Sequence, residues 1–276
     1  MDIKLIAFDL DGTFLMNDKR VPEENMAAIE RAAGKGTVIV PATGRIFPGV
    51  PRELREADFI RYYICCNGAS VYDKLEDKVL ISAEISPSSA LSFVDYMKTL
   101  PVAYDCYMDN EGFMNEEFYN SLEDWISDSA MLKFVRSVRK SVPDLREMIA
   151  GKNRAVQKLQ MFYTDMAERE RQLELIPKLF PEFIATSSMP NNIEVNSRFA
   201  TKGQALRRLC KELGIEVGNA LAFGDGTNDA DMLEAAGVGA AMANASPSLF
   251  EKADIIAPKN EECGVAAVIS DYLALP

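Results

Sequence analysis

The chain contains no histidine. That absence removes the Ser-His-Asp triad, the Cys-His pair, the H-E-x-x-H zinc site and every acid–base scheme built on imidazole. Cysteine is sparse and unpatterned: Cys65, Cys66, Cys106, Cys210 and Cys263 are odd in number and never spaced as C-x-x-C. The pattern disfavours a disulfide framework or a thiolate zinc site and predicts reduced thiols. No cysteine is followed six positions later by an arginine, so a cysteine-phosphatase loop is missing too. Long apolar runs are also lacking. Nothing approaches the ~18 residues of a membrane span, and the apolar stretch after Asp2 and Lys4 ends at Asp9, short of a secretory h-region of about 7–15 residues. A cytoplasmic location is the expectation. Positive charge is in deficit, with a formal net charge of -12, which argues against nucleic-acid backbones and anionic membrane surfaces as partners. If the chain is an enzyme, carboxylates, lysine and a hard metal ion must carry its chemistry.

What is present is an ordinary globular composition, 276 residues with 48% apolar and 26% charged, enough for one or two domains. Several short apolar runs end abruptly in small or polar residues. Leu5–Phe8 runs into Asp9, Val38–Val40 into "PATGR", Tyr62–Cys66 into "NGA", Leu221–Phe223 into "GDGTND" and Val238–Met242 into "ANAS". Between them lie helical spacings, as in Ala205, Leu206, Leu209, Cys210 and Leu213. Continuous apolar runs alternating with helices predict an α/β fold with a doubly wound, mostly parallel sheet covered on both faces. In such sheets ligands bind beyond the carboxyl ends of the strands, which is where the polar clusters fall. The middle of the chain differs. It opens with Ser86 and Pro87 as an N-cap and first helical residue, and it closes near the turn-rich "TSSMPNN". It also holds more than half of the aromatic residues, among them the only tryptophan, Trp125. It reads as an inserted α+β domain over residues 84–187, with residues 1–83 and 188–276 forming the sheet domain. The aromatics suit a core of its own, with a substrate-facing lining for one or two of them as the alternative.

The opening run "KLIAFDLDGTFL" ends in Asp9 and Asp11. Residues two apart on an extended segment face one side, so both carboxylates can meet one point beyond the strand. Like charges so placed cost energy unless a cation binds or one carboxyl is protonated, and a hard ion such as Mg²⁺ takes one or two carboxylates with phosphate oxygens and waters. A strand followed by an ordinary Asp-Gly turn accounts for the same residues. Asp225 repeats the theme directly after Phe223 and Gly224, with Asn228 and Asp229 in position to support it; helix capping with acids in the first turn is the plainer account. Thr43 and Gly44 offer a hydroxyl and an amide suited to a phosphate oxygen, though Thr-Gly is also a routine turn. Lys202 sits in the first turn of a helix, where a cation is disfavoured unless an anion binds there or the side chain simply reaches solvent.

Taken in order, "DLDGT", "ATGR", a lysine before glycine and "GDGTND" resemble the haloacid dehalogenase superfamily. The long insertion between the second and third motifs is similar to its Cof-like phosphatase branch, as are "CNGA", "AMANA" and the closing "GVA". The resemblance implies a Rossmann-like core with an inserted cap that closes over it. It implies Asp9 as nucleophile and Asp11 as general acid and base. Mg²⁺ would be held by Asp9, the main-chain carbonyl of Asp11, and Asp225, with Asn228 and Asp229 in support. Thr43, Gly44 and Lys202 would hold the phosphoryl group. Asn192 and Asn196 are candidates near the substrate within the sheet domain; Arg45, Tyr107 and Trp125 are further candidates. The branch often has an acidic residue before "GVA", where this chain has Cys263.

The expected activity is Mg²⁺-dependent hydrolysis of small phosphorylated metabolites, sugar phosphates first, through an aspartyl-phosphate, by a monomer or weak homo-oligomer. The alternatives are a phosphomutase acting on sugar phosphates and a metabolite-binding protein without catalysis. The last has no need of Asp11.

Overall fold

Four buried residues, Leu5–Phe8, form β1, and Val38–Pro41 form β2 beside it in parallel. The computed structural model describes residues 2–274, and the chain divides into two units: the residues up to Ser82 with those from Ala200 onward, and Ala83–Phe199.

In the first unit, β3 (Tyr62–Cys65), β4 (Ser70–Asp73) and β5 (Lys78–Ser82) form an antiparallel three-stranded sheet. The apolar run at Tyr62–Cys66 therefore does not extend the parallel sheet; a single parallel bridge, Ala42 to Ile64, links the two. The reason lies in the turn that follows. Cys66, Asn67 and Gly68 all have positive φ (50°, 57° and 98°), which reverses the chain into β4. A side chain at Gly68 would place its Cβ 2.3 Å from the carbonyl oxygen of Thr201, so only glycine lets this turn pack on the helix that begins at Lys202.

The inserted unit contributes β6 (Ala103–Met108), β7 (Glu111–Asn115), β8 (Arg139–Val142), β9 (Lys158–Phe162), β10 (Phe183–Thr186) and β11 (Asn192–Ser197). Their order is β10-β11-β9-β6-β7-β8, antiparallel except for β7 and β8. Alternation along the strands sends Tyr104, Cys106, Met108, Leu159, Met161, Ile193 and Val195 into a core with Phe93, Val94, Leu145, Ile149 and Ile176 from three helices. Most of the aromatics belong to this core. Ser86 caps the helix Pro87–Met97 as expected, accepting from the Ser89 amide at 3.1 Å. The second boundary lies beyond the expected 187: "TSSMPNN" is the turn of a hairpin whose second strand, β11, pairs with β9 and β10, so the inserted unit runs to Phe199. Asn192 and Asn196 consequently belong to the inserted sheet and not to the sheet domain. Asn192 Oδ1 accepts the amides of Ser188 and Met189 at 3.1 and 2.9 Å and shapes the hairpin.

The chain then returns with β12 (Ala220–Gly224), β13 (Val238–Met242) and β14 (Ile255–Ala257). The five-stranded parallel sheet has the order β14-β13-β12-β1-β2. The helix Lys202–Glu212 buries Ala205, Leu206, Leu209 and Cys210 against Leu5, Ala7, Ala220 and Ala222, the face its apolar spacing predicted. Each fully buried leucine contributes about 1.5–3 kcal/mol. Because β1 has its chain neighbour β2 on one side and the distant β12 on the other, the strand order reverses there. Such a reversal opens a crevice at the carboxyl ends.

Candidate active site

Asp9 leaves β1 at that crevice. Its amide donates to the Phe223 carbonyl at 3.0 Å, the last bond of the β1–β12 ladder, and its side chain is buried. One residue past the end of β12, Asp225 lies beside it. The helix Lys202–Glu212 starts here too, with Thr201 as its N-cap, accepting from the Gln204 amide at 3.3 Å. Lys202 is fully buried and does not reach solvent. Its Nζ donates to Asp9 Oδ1 at 2.5 Å and to Asp229 Oδ1 at 2.6 Å. The other oxygen of Asp229 accepts the amides of Asp225 and Gly226 at 3.1 and 2.9 Å, which closes the loop after β12 around one carboxylate. Thr13 donates its hydroxyl to Asp225 Oδ1 at 2.6 Å.

Among the described residues, Asp9, Asp225 and Asp229 place ligand-capable oxygens within 4.8 Å of one another. Three carboxylates against one ammonium leave two charges to be balanced, which fits a divalent cation and hard oxygen donors. Burial first, then neighbouring carboxylates, push the Asp9 carboxyl well above its ordinary range, with Lys202 pulling the other way. Burial and then Asp229 raise Asp225 to about 6. Lys202 goes in the opposite direction to an isolated buried lysine: Asp229 and Asp9 outweigh its desolvation and hold it charged.

The carboxylate of Asp11 does not join this group. The chain leaves the strand at Phe8 and turns, with Phe14 and Leu15 amides returning to the carbonyls of Asp9 and Leu10 at 3.2 and 2.9 Å. The same-side geometry of an extended segment is therefore lost. Arg45 grips Asp11 with Nε to Oδ2 at 2.8 Å and Nη2 to Oδ1 at 2.7 Å, and Lys19 Nζ lies 2.9 Å from Oδ1. Burial would raise this carboxyl, but Arg45, backed by Lys19, lowers it to about 2. Gly12 follows with φ of 87°, and a Cβ there would fall 2.2 Å from Asp225 Oδ2.

Thr43 sits at the same sheet end, since Ala42 continues the ladder to Phe8 at 2.8 Å. It is buried, and its hydroxyl accepts the Arg45 amide at 3.2 Å. Gly44 lies between them in sequence. Asn228 donates to Asn67 Oδ1 at 3.2 Å, tying the loop after β12 to the turn after β3. Asn67 and Asn244, which donates to the Gly12 carbonyl at 2.8 Å, lie inside the motifs "CNGA" and "AMANA" but have no role of their own in the sequence reading, and Lys19 carries no sequence signal that separates it from loop residues. Thr13 was visible only as the last letter of "DLDGT".

Residues 6–269 match the family model for haloacid dehalogenase-like hydrolases. This chain belongs to that family. It is 30% identical to the 5-amino-6-(5-phospho-D-ribitylamino)uracil phosphatase YcsE of Bacillus subtilis, over 99% of this chain and 97% of the relative. It is 32% identical to the putative phosphatase YxeH of the same organism, over 98% of each. A solved haloacid dehalogenase-like hydrolase from B. subtilis superimposes with a TM-score of 0.84 at 28% identity, covering 97% of this chain and 99% of that one. The haloacid dehalogenase-like chain is thus a phosphatase of the Cof-like branch, with the parallel-sheet core and α+β insertion that its motifs imply. Among the described residues, no helix is long and apolar enough to cross a membrane.

Proposed function

We propose that this phosphatase is Mg²⁺-dependent and hydrolyses small phosphorylated metabolites, sugar and polyol phosphates first, with Asp9 as nucleophile. The observation that carries the reading is the convergence of Asp9, Asp225 and Asp229 on a single buried ammonium, Lys202. Mg²⁺ would be held by Asp9, the main-chain carbonyl of Asp11, and Asp225, with Asp229 and Asn228 in support. Bound there, it supplies charge neutralisation for a phosphoryl oxygen.

The chain's own residues do the rest. One Asp9 oxygen is held by Lys202 and the other attacks phosphorus in line. The P–Oδ bond forms as the ester P–O bond breaks, and the departing alkoxide takes a proton from Asp11. Water then attacks phosphorus, giving its proton back to Asp11, and Asp9 leaves as the free carboxylate while phosphate departs. In the arrangement present, Asp11 is ionised and gripped by Arg45, so proton donation requires Arg45 and Lys19 to exchange it for other partners. Lys202, the Thr43 hydroxyl and the Gly44 amide serve the equatorial oxygens, where charge accumulates. The YcsE relative's substrate, a phosphorylated ribityl compound, supports the preference for polyol phosphates.

The test is phosphate release from a panel of phosphorylated metabolites, with Mg²⁺ or with chelator, for the wild type and Asp9→Asn. Metal-dependent release lost in the variant is the expected result. Release that survives Asp9→Asn would remove Asp9 as nucleophile, and isomerisation without release would point instead to a mutase.

A further inference from the structure

Two motifs of the sequence, "AMANA" and the closing "GVA", have no part in the chemistry above. Both lead to the turn that follows Asp9. Three carbonyls of that turn, those of Gly12, Phe14 and Leu15, accept side-chain amides: Asn244 Nδ2 at 2.8 Å, Asn25 Nδ2 at 2.9 Å and Asn260 Nδ2 at 2.9 Å. The same asparagines are tied to the C-terminal part of the chain. Asn244, in "AMANA", accepts the Asn260 amide on Oδ1 at 3.0 Å, and Asn25 Oδ1 accepts the amide of Ala266, in "GVA", at 3.0 Å. A side-chain amide carries a donor and an acceptor on one carbon, so it bridges a main-chain carbonyl to a main-chain amide as a neighbouring strand would.

Asn244 differs from the other two in what its loop holds. That loop follows β13 and grips both segments proposed to hold Mg²⁺. Asn244 holds the carbonyl of Gly12, the residue after Asp11, and the Ser246 amide donates to the main-chain carbonyl of Asp225 at 3.0 Å. The two held segments meet closely: a Cβ on Gly12 would lie 2.2 Å from Asp225 Oδ2, and the Thr13 hydroxyl donates to Asp225 Oδ1 at 2.6 Å. Holding the Gly12 carbonyl fixes the peptide plane between Gly12 and Thr13, since a peptide unit is rigid. Only the two soft torsions of Gly12, at a φ of 87°, separate this plane from the Asp11 carbonyl. Such a joint is free to turn unless it is held from outside.

We propose that Asn244 is a positioning residue for phosphoryl transfer, an inference that rests on the reading that the Asp11 main-chain carbonyl and Asp225 hold Mg²⁺. By holding Gly12 it sets how far apart those two groups stand, and so the affinity for the ion. Partners that orient the ligands of a metal change its affinity without ligating it. Asn25 and Asn260 are buried, whereas Asn244 is exposed. Replacing Asn244 therefore leaves no buried polar group behind, which separates its positioning role from the stability of the fold.

The test compares wild type, Asn244→Leu and Asn17→Ala. Asn17 is also exposed and links the same parts of the chain, accepting from Asn260 Nδ2 at 3.1 Å, but through Asn260 rather than Gly12. Mg²⁺ affinity is read by titration calorimetry, kcat and KM with p-nitrophenyl phosphate at saturating Mg²⁺, and the melting temperature in chelator. Asn244→Leu is expected to bind Mg²⁺ about tenfold more weakly and to lower kcat more than it alters KM, at the melting temperature of the wild type. Asn17→Ala is expected to match the wild type throughout. Unchanged Mg²⁺ affinity in Asn244→Leu, or an equal loss in Asn17→Ala, overturns the proposal. If Asn244→Leu does not fold, Asn244→Ala is read in its place, with the same loss expected. Wild type that binds no Mg²⁺ overturns the metal reading and this inference with it; binding that is equal in wild type and variant overturns this inference alone.

Discussion

Lys202 is the residue on which the local charge balance turns. It is buried between Asp9 and Asp229, so Lys202→Met leaves two carboxylates without their counter-ion. A loss of about 3–5 kcal/mol is expected without divalent cation, read by denaturant unfolding, and Mg²⁺ should restore part of it. Asp225 predicts a pH dependence. Its folded-state pKa is about 6 against 3.8 for an ordinary aspartate, so the folded chain holds this proton more tightly than the unfolded one. Stability from this group is therefore greatest below about pH 4 and falls as pH rises through 6. The melting-temperature difference between Asp225→Asn and wild type should widen in the variant's favour across that window, and Mg²⁺ should flatten it. A difference that stays constant would remove burial of Asp225 as the cause. Arg45 is expected to set the ionisation of Asp11. Arg45→Met should move the alkaline limb of kcat/KM to higher pH, because Asp11 must be protonated as the alkoxide leaves and the carboxyl held at about 2 relaxes toward its ordinary value. An unmoved limb would show that Lys19 suffices.

At the scale of elements, the site is a product of how β1 ends. Its strand, the turn at Asp11–Gly12 and the loop after β12 meet because Gly12 has no side chain and a φ of 87°. Gly12→Ala should cost about 1–3 kcal/mol in backbone strain and displace the Asp225 carboxylate, lowering activity and weakening Mg²⁺ binding together; titration calorimetry with Mg²⁺ checks the second. Helices and strand ends of the parallel sheet were legible in the sequence, since an apolar run followed by Asp, Thr-Gly or Gly-Asp states both burial and its termination. The run at Tyr62–Cys65 was equally apolar and was read wrongly as part of that sheet. Periodicity reports burial but not partner, and the deciding feature is the run of positive φ at Cys66, Asn67 and Gly68, uncommon for cysteine though not for asparagine or glycine.

For the molecule as a whole, two separate cores predict two unfolding events. The only tryptophan, Trp125, lies in the inserted unit, packed against Phe118 with ring centroids 6.1 Å apart. Mg²⁺ binding to the other unit should raise the far-UV transition midpoint while leaving the Trp125 fluorescence transition in place; a common shift of both would show one cooperative unit. The sequence by itself determined the architecture, the order of the motifs and the residues Asp9, Asp225, Asp229 and Lys202, because charge placed at the end of a buried strand is costly enough to mark its own position. Only the tertiary structure decided where the Asp11 carboxylate points and that β11 belongs to the inserted sheet. These depend on turns of a few residues and on pairing across strands distant in the chain, and local pattern encodes neither.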